Sequence, residues 1–334
     1  AGMGTNSEHV AAEAAVKIPP IVLMISGCMD SQTSADVQNT AHQFELPEDA
    51  GPGGAGGACT SSLAYVLDKS GGRKLSWVDL LRQMREKLDE ESFTQVPQLS
   101  SSRNLSLSQE FDLLNWARPA TSKVLLIGIN YVGQRGELRG CHNDVEMMQR
   151  LLLTKGVPEC NMRVLMDDGR SAPPTRDNIL DGFEWLCADA VAGEGRFMHY
   201  SGHGGSIYDE NSDEKDNKDE TLVPVDYESA GQIVDDEIHE RLILSMPKDV
   251  SLVCLMDCCH SGTILDLPYC VRMDDNTCQM VASGDMPAMK PNPDFDMDKL
   301  MGAAKMLFDH VKDDPQARAT LISMLMRCIS AILS

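Results

Sequence analysis

Two short segments carry residues that can perform nucleophilic chemistry. Residues 199–205 read HYSGHGG, and residues 256–262 read MDCCHSG. A cysteine thiol becomes a useful nucleophile at neutral pH when an imidazole lies beside it as a base or as a cation. Glycines next to such a pair let main-chain N–H groups approach a substrate carbonyl and stabilise an oxyanion. These residue types permit acyl-transfer catalysis, and the alternative is a buried cysteine with a packed histidine.

Both segments follow apolar runs that are typical of buried strands, residues 196–200 and 250–256. Ligands of α/β sheets bind beyond the carboxyl ends of the strands, which is where the two segments begin. The pattern also predicts strands at 21–26, 123–130 and 162–166, an extended piece at 95–99, and helices at 58–67, 76–88, 143–155 and 175–190. This alternation predicts an α/β fold with a central, mostly parallel sheet and helices on both faces.

The composition narrows the classes of partner. The 334 residues carry a formal net charge of −22, which disfavours nucleic-acid binding and favours basic peptides or divalent metal ions. An apolar content of 42% excludes wholesale disorder. No apolar run is long enough for a membrane span, and the first residues do not form a signal peptide. With eleven cysteines and no paired metal-binding framework, we expect reduced thiols and a cytoplasmic, intracellular location.

The two reactive segments strongly resemble the catalytic pair of the metacaspases, which are caspase-like cysteine peptidases. Other family motifs follow in the family's order, and they are LLIGINY at 125–131, GCHNDV at 140–145, PTRDNI at 174–179 and VDDEIH at 234–239. The resemblance covers about residues 122–268, which look like the family's large, catalytic region. It implies the caspase-like (caspase/hemoglobinase) fold.

The order of the two halves departs from most of the family. ISGCMDSQTSAD at 25–36, the GGAGGA tract at 53–58 and FTQVPQL at 93–99 resemble the small-subunit region, yet they precede the catalytic one. The chain therefore resembles a type III metacaspase, which has a circularly permuted order of its halves. We divide it into a tail (1–20), a small-subunit-like region (21–112), a connector (113–122), a catalytic region (123–268) and a C-terminal part (269–334). That last part is expected to hold a loop at 273–296 and two amphipathic helices at 298–311 and 315–333.

The resemblance implies the catalytic roles. Cys259 would attack the scissile carbonyl and form a thioester, while His203 would protonate the leaving amine and later activate water. Main-chain N–H groups of Gly204 and Cys259 would hold the oxyanion.

The resemblance also implies cleavage after arginine or lysine by a monomer. The matching substrate-binding positions are Asp144, Ser201, Asp257 and Cys141. Several family members cleave themselves in the connector between the two regions. Because the reversed order of the halves removes that connector from its usual place, we expect activity from the intact chain. Three basic residues look exposed enough for self-cleavage, and they are Arg103, Lys123 and Lys290.

A calcium site is implied by the same resemblance. The matching ligands are Asp219, Asp235, Asp236 and Asp266. Four converging carboxylates would repel one another unless a hard divalent cation neutralised them. A competing location is the acidic stretch 209–220, in which Asp209, Asn211, Asp213 and Glu220 fall at EF-hand ligand positions, although Glu214 replaces the required glycine.

Two other functions remain open on the residues alone. One is a noncatalytic metal- or thiol-binding scaffold that uses Cys254, Cys258, Cys259 and His260 as ligands. Alternation along a strand makes their convergence on one ion difficult. The other is a regulatory interaction protein whose C-terminal helices dock a partner.

Overall fold

The computed structural model describes residues 3–27, 36–37, 56–71, 73–112, 119–208, 218–258 and 264–311. Its strands are β1 Ile21–Ser26, β2 Asp36–Val37, β3 Gly56–Gly57, β4 Gln98–Ser101, β5 Lys123–Gly128, β6 Met162–Met166, β7 Gly195–Ser201, β8 Gly204–Tyr208, β9 Lys218–Leu222, β10 Ile233–Val234, β11 Ser251–Asp257, β12 Tyr269–Arg272 and β13 Lys290–Pro291. Its helices are α1 Met3–Lys17, α2 Ala58–Lys69, α3 Trp77–Glu90, α4 Cys141–Thr154, α5 Arg176–Cys187, α6 Tyr227–Ala230, α7 Asp235–Ile238, α8 Asp275–Ala282 and α9 Met297–Val311.

Eight of these strands form one sheet in the order β13-β12-β4-β1-β11-β7-β5-β6. The strands β1, β11, β7, β5 and β6 run parallel, while β4, β12 and β13 pair antiparallel to their neighbours. A separate three-stranded sheet joins β10, β9 and β8. The predicted α/β fold with a mostly parallel central sheet is therefore confirmed.

The N-terminal region supplies a central strand of this sheet. β1 pairs with β11 along its whole length, from Ile21 opposite Ser251 to Ser26 opposite Met256. β4 lies on the other side of β1 and also pairs with β12. The two permuted regions thus share one continuous sheet.

Successive side chains of the strands enter two hydrophobic cores, one on each face of the sheet. Val22 and Met24 pack in the first core, whereas Leu23 and Ile25 pack in the second. Helices α1, α5 and α9 contribute buried residues to the first core, and α2, α3 and α4 contribute to the second. The Thr175 hydroxyl caps α5 by accepting a hydrogen bond from the Asn178 N–H, so this helix begins where the sequence predicts.

Three segments differ from the sequence-based expectation. The segment 1–20, expected as a tail, contains α1, because its small residues Ala11 and Ala14 and the following Ile18 are buried against the sheet. The segment 273–296, expected as a loop, contains α8 and β13, and Asp274 caps α8 through the Thr277 N–H. The extended piece expected at 95–99 is β4, which runs to Ser101 because its neighbours β1 and β12 supply main-chain partners.

Two of the three predicted self-cleavage residues are not well exposed. Arg103 is half-buried and donates to the Ile18 carbonyl oxygen at 2.8 Å. Lys123 is also half-buried and donates to the carbonyl oxygens of Trp185 and Ala188. Lys290 is exposed, as predicted. The predicted helix at 315–333 lies outside the described residues.

Candidate active site

His203 lies just beyond the carboxyl end of β7 and is held at both its main chain and its ring. Its N–H donates to the Tyr131 hydroxyl at 2.9 Å, and its ring packs 4.7 Å from the Tyr131 ring. Its Nε2 lies 2.6 Å from the Gly136 carbonyl oxygen. Because a carbonyl can only accept, Nε2 must carry the hydrogen, and Nδ1 is the nitrogen with the lone pair in the neutral ring. Gly136 has a φ of 82°, a conformation that favours glycine.

Two buried tyrosines surround the His203 main chain. The Tyr131 hydroxyl donates to the Val223 carbonyl oxygen at 2.7 Å, and the Tyr200 hydroxyl donates to the His203 carbonyl oxygen at 2.8 Å. Burial raises the pKa of both phenols above the usual value, so both remain hydrogen-bond donors. Sequence reasoning quoted both tyrosines inside motifs but gave them no role.

The predicted substrate-binding residues meet at the same end of the sheet. Asp144 lies in the first turn of α4 and accepts from the Ser201 hydroxyl at 2.7 Å. Asp257 ends β11, directly opposite Ser201 of β7. Cys141 begins α4, one turn before Asp144. All four side chains are buried, with exposed fractions of 0% for Asp144, 2% for Ser201, 4% for Asp257 and 4% for Cys141.

The main chain of the N-terminal region bridges the two carboxylates. The Gly57 N–H donates to both Asp144 oxygens, at 3.0 and 2.9 Å, and the Thr60 N–H donates to Asp257 Oδ2 at 2.8 Å. A Cβ placed on Gly57 would lie 2.1 Å from Asp257 Oδ2 and 3.0 Å from Asp144 Oδ2. Only glycine fits between them. The arrangement is an anionic site, closed to solvent in this conformation, whose partner groups Gly57 and Thr60 the sequence analysis did not identify.

The predicted nucleophile Cys259 lies outside the described residues, as does His260. β11 and β7 are parallel neighbours in register up to Asp257 and Ser201, so Cys258 and His203 both follow the same end of this strand pair. Gly204, the predicted oxyanion donor, follows His203 and begins β8.

The four predicted calcium ligands are all buried near one another. Asp219 lies in β9, Asp235 and Asp236 begin α7, and Asp266 lies in the turn after the nucleophile segment. Burial, followed by the charges of Glu220 and the other three aspartates, raises the pKa of Asp235. Burial also raises the pKa of Asp266, whose Oδ2 finds no hydrogen-bond partner among the described residues.

The chemistry of these carboxylates fits calcium, because Ca2+ takes hard oxygen ligands. The oxygen of Asp266 that has no hydrogen-bond partner among the described residues can serve as such a ligand. Their present arrangement is not a finished cage. Across the described ranges, no three carboxylate, imidazole or thiol groups are placed to hold a metal ion. The ammonium of Lys299 from α9 lies 2.5 Å from Asp235 Oδ2 instead. Sequence reasoning did not identify Lys299, and it assigned Glu220 only to the EF-hand-like stretch.

The thiols of the scaffold alternative do not form a metal site in the part of the chain that the structure describes. Cys254 lies within β11, and Cys258 follows that strand. Both are buried in the first core. Burial raises the pKa of the Cys254 thiol, which disfavours the thiolate that metal binding needs.

Comparison with known proteins gives consistent matches along the chain. Residues 122–268 match the family described as "Metacaspase, peptidase C14 domain", and residues 3–107 match "Caspase domain". "Metacaspase III c" of Phaeodactylum tricornutum is 45% identical over 287 residues, which cover 84% of this chain and 82% of that protein. "Metacaspase-1" of Mycosarcoma maydis is 43% identical over 190 residues, covering 56% of this chain and 47% of that protein. "Metacaspase-1" of Ajellomyces capsulatus is 49% identical over 150 residues, covering 44% of this chain and 42% of that protein.

The fold and these matches define a cysteine peptidase of the caspase-like class. More narrowly, the chain belongs to the metacaspase family. The predicted family and enzyme class are therefore confirmed. The chain spans less than half the length of the two fungal relatives. Among the described helices, none has the length and apolar character that a membrane span needs.

Proposed function

We propose that this peptidase cleaves peptide bonds after arginine or lysine, with Cys259 as nucleophile and His203 as its acid–base partner. The observation that supports this best is the buried anionic site of Asp144, Ser201 and Asp257 at the carboxyl ends of the strands. It lies at the end of the two strands that lead to His203 and to Cys259. A cationic side chain is the natural complement of two carboxylates.

The proposed reaction uses two proton transfers. The Cys259 thiolate attacks the scissile carbonyl carbon, and the protonated imidazole of His203 gives its proton to the leaving amine, which leaves a thioester. His203 then takes a proton from water, whose oxygen attacks the thioester and releases the acid and the thiolate. The Gly136 carbonyl supports this role because it holds Nε2 and leaves Nδ1 for the thiol. N–H groups of Gly204 and Cys259 would stabilise each oxyanion.

For specificity, we assign Asp144 and Asp257 to the P1 side chain. Two carboxylates can take the fork of a guanidinium through paired hydrogen bonds, or a lysine ammonium as a point charge. Entry of that side chain requires Gly57 to move away from the carboxylates, because its main chain now bridges them.

The direct test is hydrolysis of matched fluorogenic peptides that differ only at P1, with arginine, lysine or aspartate. We expect cleavage of the arginine and lysine peptides, none of the aspartate peptide, and none at all by the Cys259→Ala variant. Preferred cleavage after aspartate would refute the specificity. Full activity of Cys259→Ala would refute the nucleophile, whereas no hydrolysis of any of the three peptides by the parent would favour the noncatalytic scaffold.

We also propose that calcium activates the enzyme by binding the cluster of Asp219, Asp235, Asp236 and Asp266. When bound, the ion would supply the positive charge that lets these buried carboxylates remain ionised together. Asp219→Asn is expected to abolish calcium stimulation while the protein stays folded. Asp298→Asn, an exposed neighbour on α9, serves as the control. Unchanged stimulation of Asp219→Asn would move the site elsewhere, first to the stretch 209–220.

The enzyme is further proposed to act as an intact monomer. The pairing of β1 with β11 supports action as an intact chain, because both regions contribute strands to one sheet without any cut between them. Mass determination of calcium-activated enzyme should find the full-length chain, and light scattering should give the mass of one copy. Activity that appears only after a cut would contradict the proposal.

A further inference from the structure

A lysine from the C-terminal part of the chain lies inside the acidic cluster. Lys299 is only 6% exposed, and its Nζ lies 2.5 Å from Asp235 Oδ2 and 3.8 Å from Glu220 Oε2. Burying an ammonium group costs free energy unless carboxylates surround it, so the carboxylates of the cluster stabilise the buried position of Lys299. The charge that the cluster needs is partly supplied by the chain itself.

The lysine is carried by an anchored helix. Its neighbours on α9, Leu300 and Ala303, are buried in the first core together with Ile238 and Leu242. Ile238 ends α7, the helix that begins with Asp235 and Asp236. The ammonium is therefore tethered at the cluster by packing on the same helix that supplies two of the carboxylates.

We propose that Lys299 is a built-in counter-ion of the calcium cluster, and that a divalent cation must displace it in order to bind. This inference rests on the calcium part of the proposed function. A lysine ammonium in contact with Asp235 and a calcium ion on the same carboxylate would repel one another in a buried site. Metal binding and burial of Lys299 are thus mutually exclusive.

Two consequences follow from this competition. Without metal, Lys299 offsets part of the negative charge of the crowded carboxylates and so stabilises the folded cluster. The affinity of the cluster for a metal ion is reduced by the free energy that holds Lys299 in place, because coupling between two binding events is reciprocal. Lys299 thereby sets the calcium concentration at which the cluster fills.

The first experiment uses the Cys259→Ala protein, so that no self-cleavage occurs, and labels its amines with an amine-reactive ester. We expect Lys299 to be protected in chelator and to react in saturating calcium. Lys305 is exposed on the same helix and should react equally in both. Protection of Lys299 that persists in saturating calcium would overturn the inference.

The second experiment measures calcium affinity by calorimetry in the same background. Lys299→Met should bind calcium at least about tenfold more tightly, the scale of a typical coupling between sites, while Lys305→Met should bind as before. Lys299→Arg keeps the charge and should stay close to the original affinity.

The outcomes separate the two proposals. Equal affinities of Lys299→Met and the parent would refute the counter-ion role and leave the calcium site standing. Absence of calcium binding by the parent and all variants would refute both. If Lys299→Met folds only with calcium present, its calcium affinity cannot be compared with that of the parent. The labelling of Lys299 in the Cys259→Ala protein then tests the counter-ion role by itself.

Discussion

At the residue scale, the position of His203 depends on hydroxyl groups rather than on packing alone. Tyr131 accepts from its N–H, and Tyr200 donates to its carbonyl oxygen. Tyr131 itself has a left-handed backbone with a φ of 53°, an uncommon conformation that often marks a functional site. The histidine is thus fixed by two side chains that are themselves firmly buried.

Removal of the Tyr131 hydroxyl tests this support. In Tyr131→Phe, the His203 N–H loses its partner, at a cost of about 1–3 kcal/mol for an unsatisfied buried group, while the Val223 carbonyl keeps the Tyr200 hydroxyl at 3.3 Å. We expect kcat to fall at least about tenfold, with a smaller change in KM, because the histidine acts on the bound substrate. Steady-state kinetics should show this split, and Tyr65→Phe on α2 is the control. An unchanged kcat would contradict the positioning role.

Two buried histidines give a pH dependence with a definite sign. Burial lowers the pKa of His199 to about 3 and that of His239 to about 4. The unfolded chain protonates its histidines below about pH 6.5, whereas the folded chain keeps these two neutral. Acidification from pH 6.5 towards 4 therefore favours unfolding by about 1.4 kcal/mol per pH unit for each histidine.

Urea unfolding of the parent and of His199→Gln measures this effect. The variant should be less stable at pH 7, because the Thr60 hydroxyl loses the His199 ring at 3.2 Å. Its stability should also fall less steeply with acid than that of the parent. The difference between the two slopes isolates His199 from the carboxylates. Parallel slopes would show that His199 does not remain neutral.

At the scale of elements, the junction of β3 and α2 closes the anionic site. Gly57 and Thr60 reach across to Asp144 and Asp257, which belong to α4 and β11. An element of the small-subunit-like region thus completes a site whose side chains come from the catalytic region. Both the small-subunit-like region and the catalytic region are therefore needed to form the anionic site.

Gly57→Ala tests this closure. The added methyl group would lie within 2.1 Å of Asp257 Oδ2, so the carboxylate or the β3–α2 junction must shift. Because entry of the P1 side chain requires this same displacement, we expect KM for the P1-arginine peptide to fall at least about tenfold, which corresponds to about 1.4 kcal/mol of binding. Lys69→Ala, at the exposed end of α2, should leave KM unchanged. An unaltered KM in Gly57→Ala would separate this junction from substrate binding.

Most elements were predictable, and their long-range partners were not. Strands such as β1 and β6 show the apolar runs and turn boundaries that the sequence displays directly. α1 was missed because its buried face uses the small residues Ala11 and Ala14, which give a weak pattern. β13 has only two residues and exists because β12 supplies its partners.

The residues of the candidate site likewise fall into two groups, those that sequence motifs indicate and those whose roles depend on long-range contacts. Asp144, Asp257 and His203 could be proposed from the sequence because each lies within a recognisable motif, and their roles remain predictions. Gly57 and Lys299 could not, since their roles arise from contacts between segments distant in sequence. Gly57 binds an aspartate 87 residues away, and Lys299 binds one 64 residues away.

At the scale of the whole molecule, the two permuted regions interleave within the sheet. β1 and β4 of the N-terminal region lie between β11 and β12 of the remainder. A split chain should therefore stay assembled. With a foreign protease site inserted between residues 112 and 119, the cut protein should elute as one species and keep its activity. Separation of the pieces in native chromatography would show that the interleaved strands do not suffice.

The pairing of β1 with β11 also governs when the enzyme can appear during its own synthesis. Ile21 leaves the ribosome long before its partner Ser251 of β11. Contacts this distant along the chain form slowly, because a long loop must close first. During synthesis, β1 therefore exists without its parallel neighbour until β11 has also been made. The end of the sheet at which β7 and β11 lie side by side is likewise assembled only once β11 is in place.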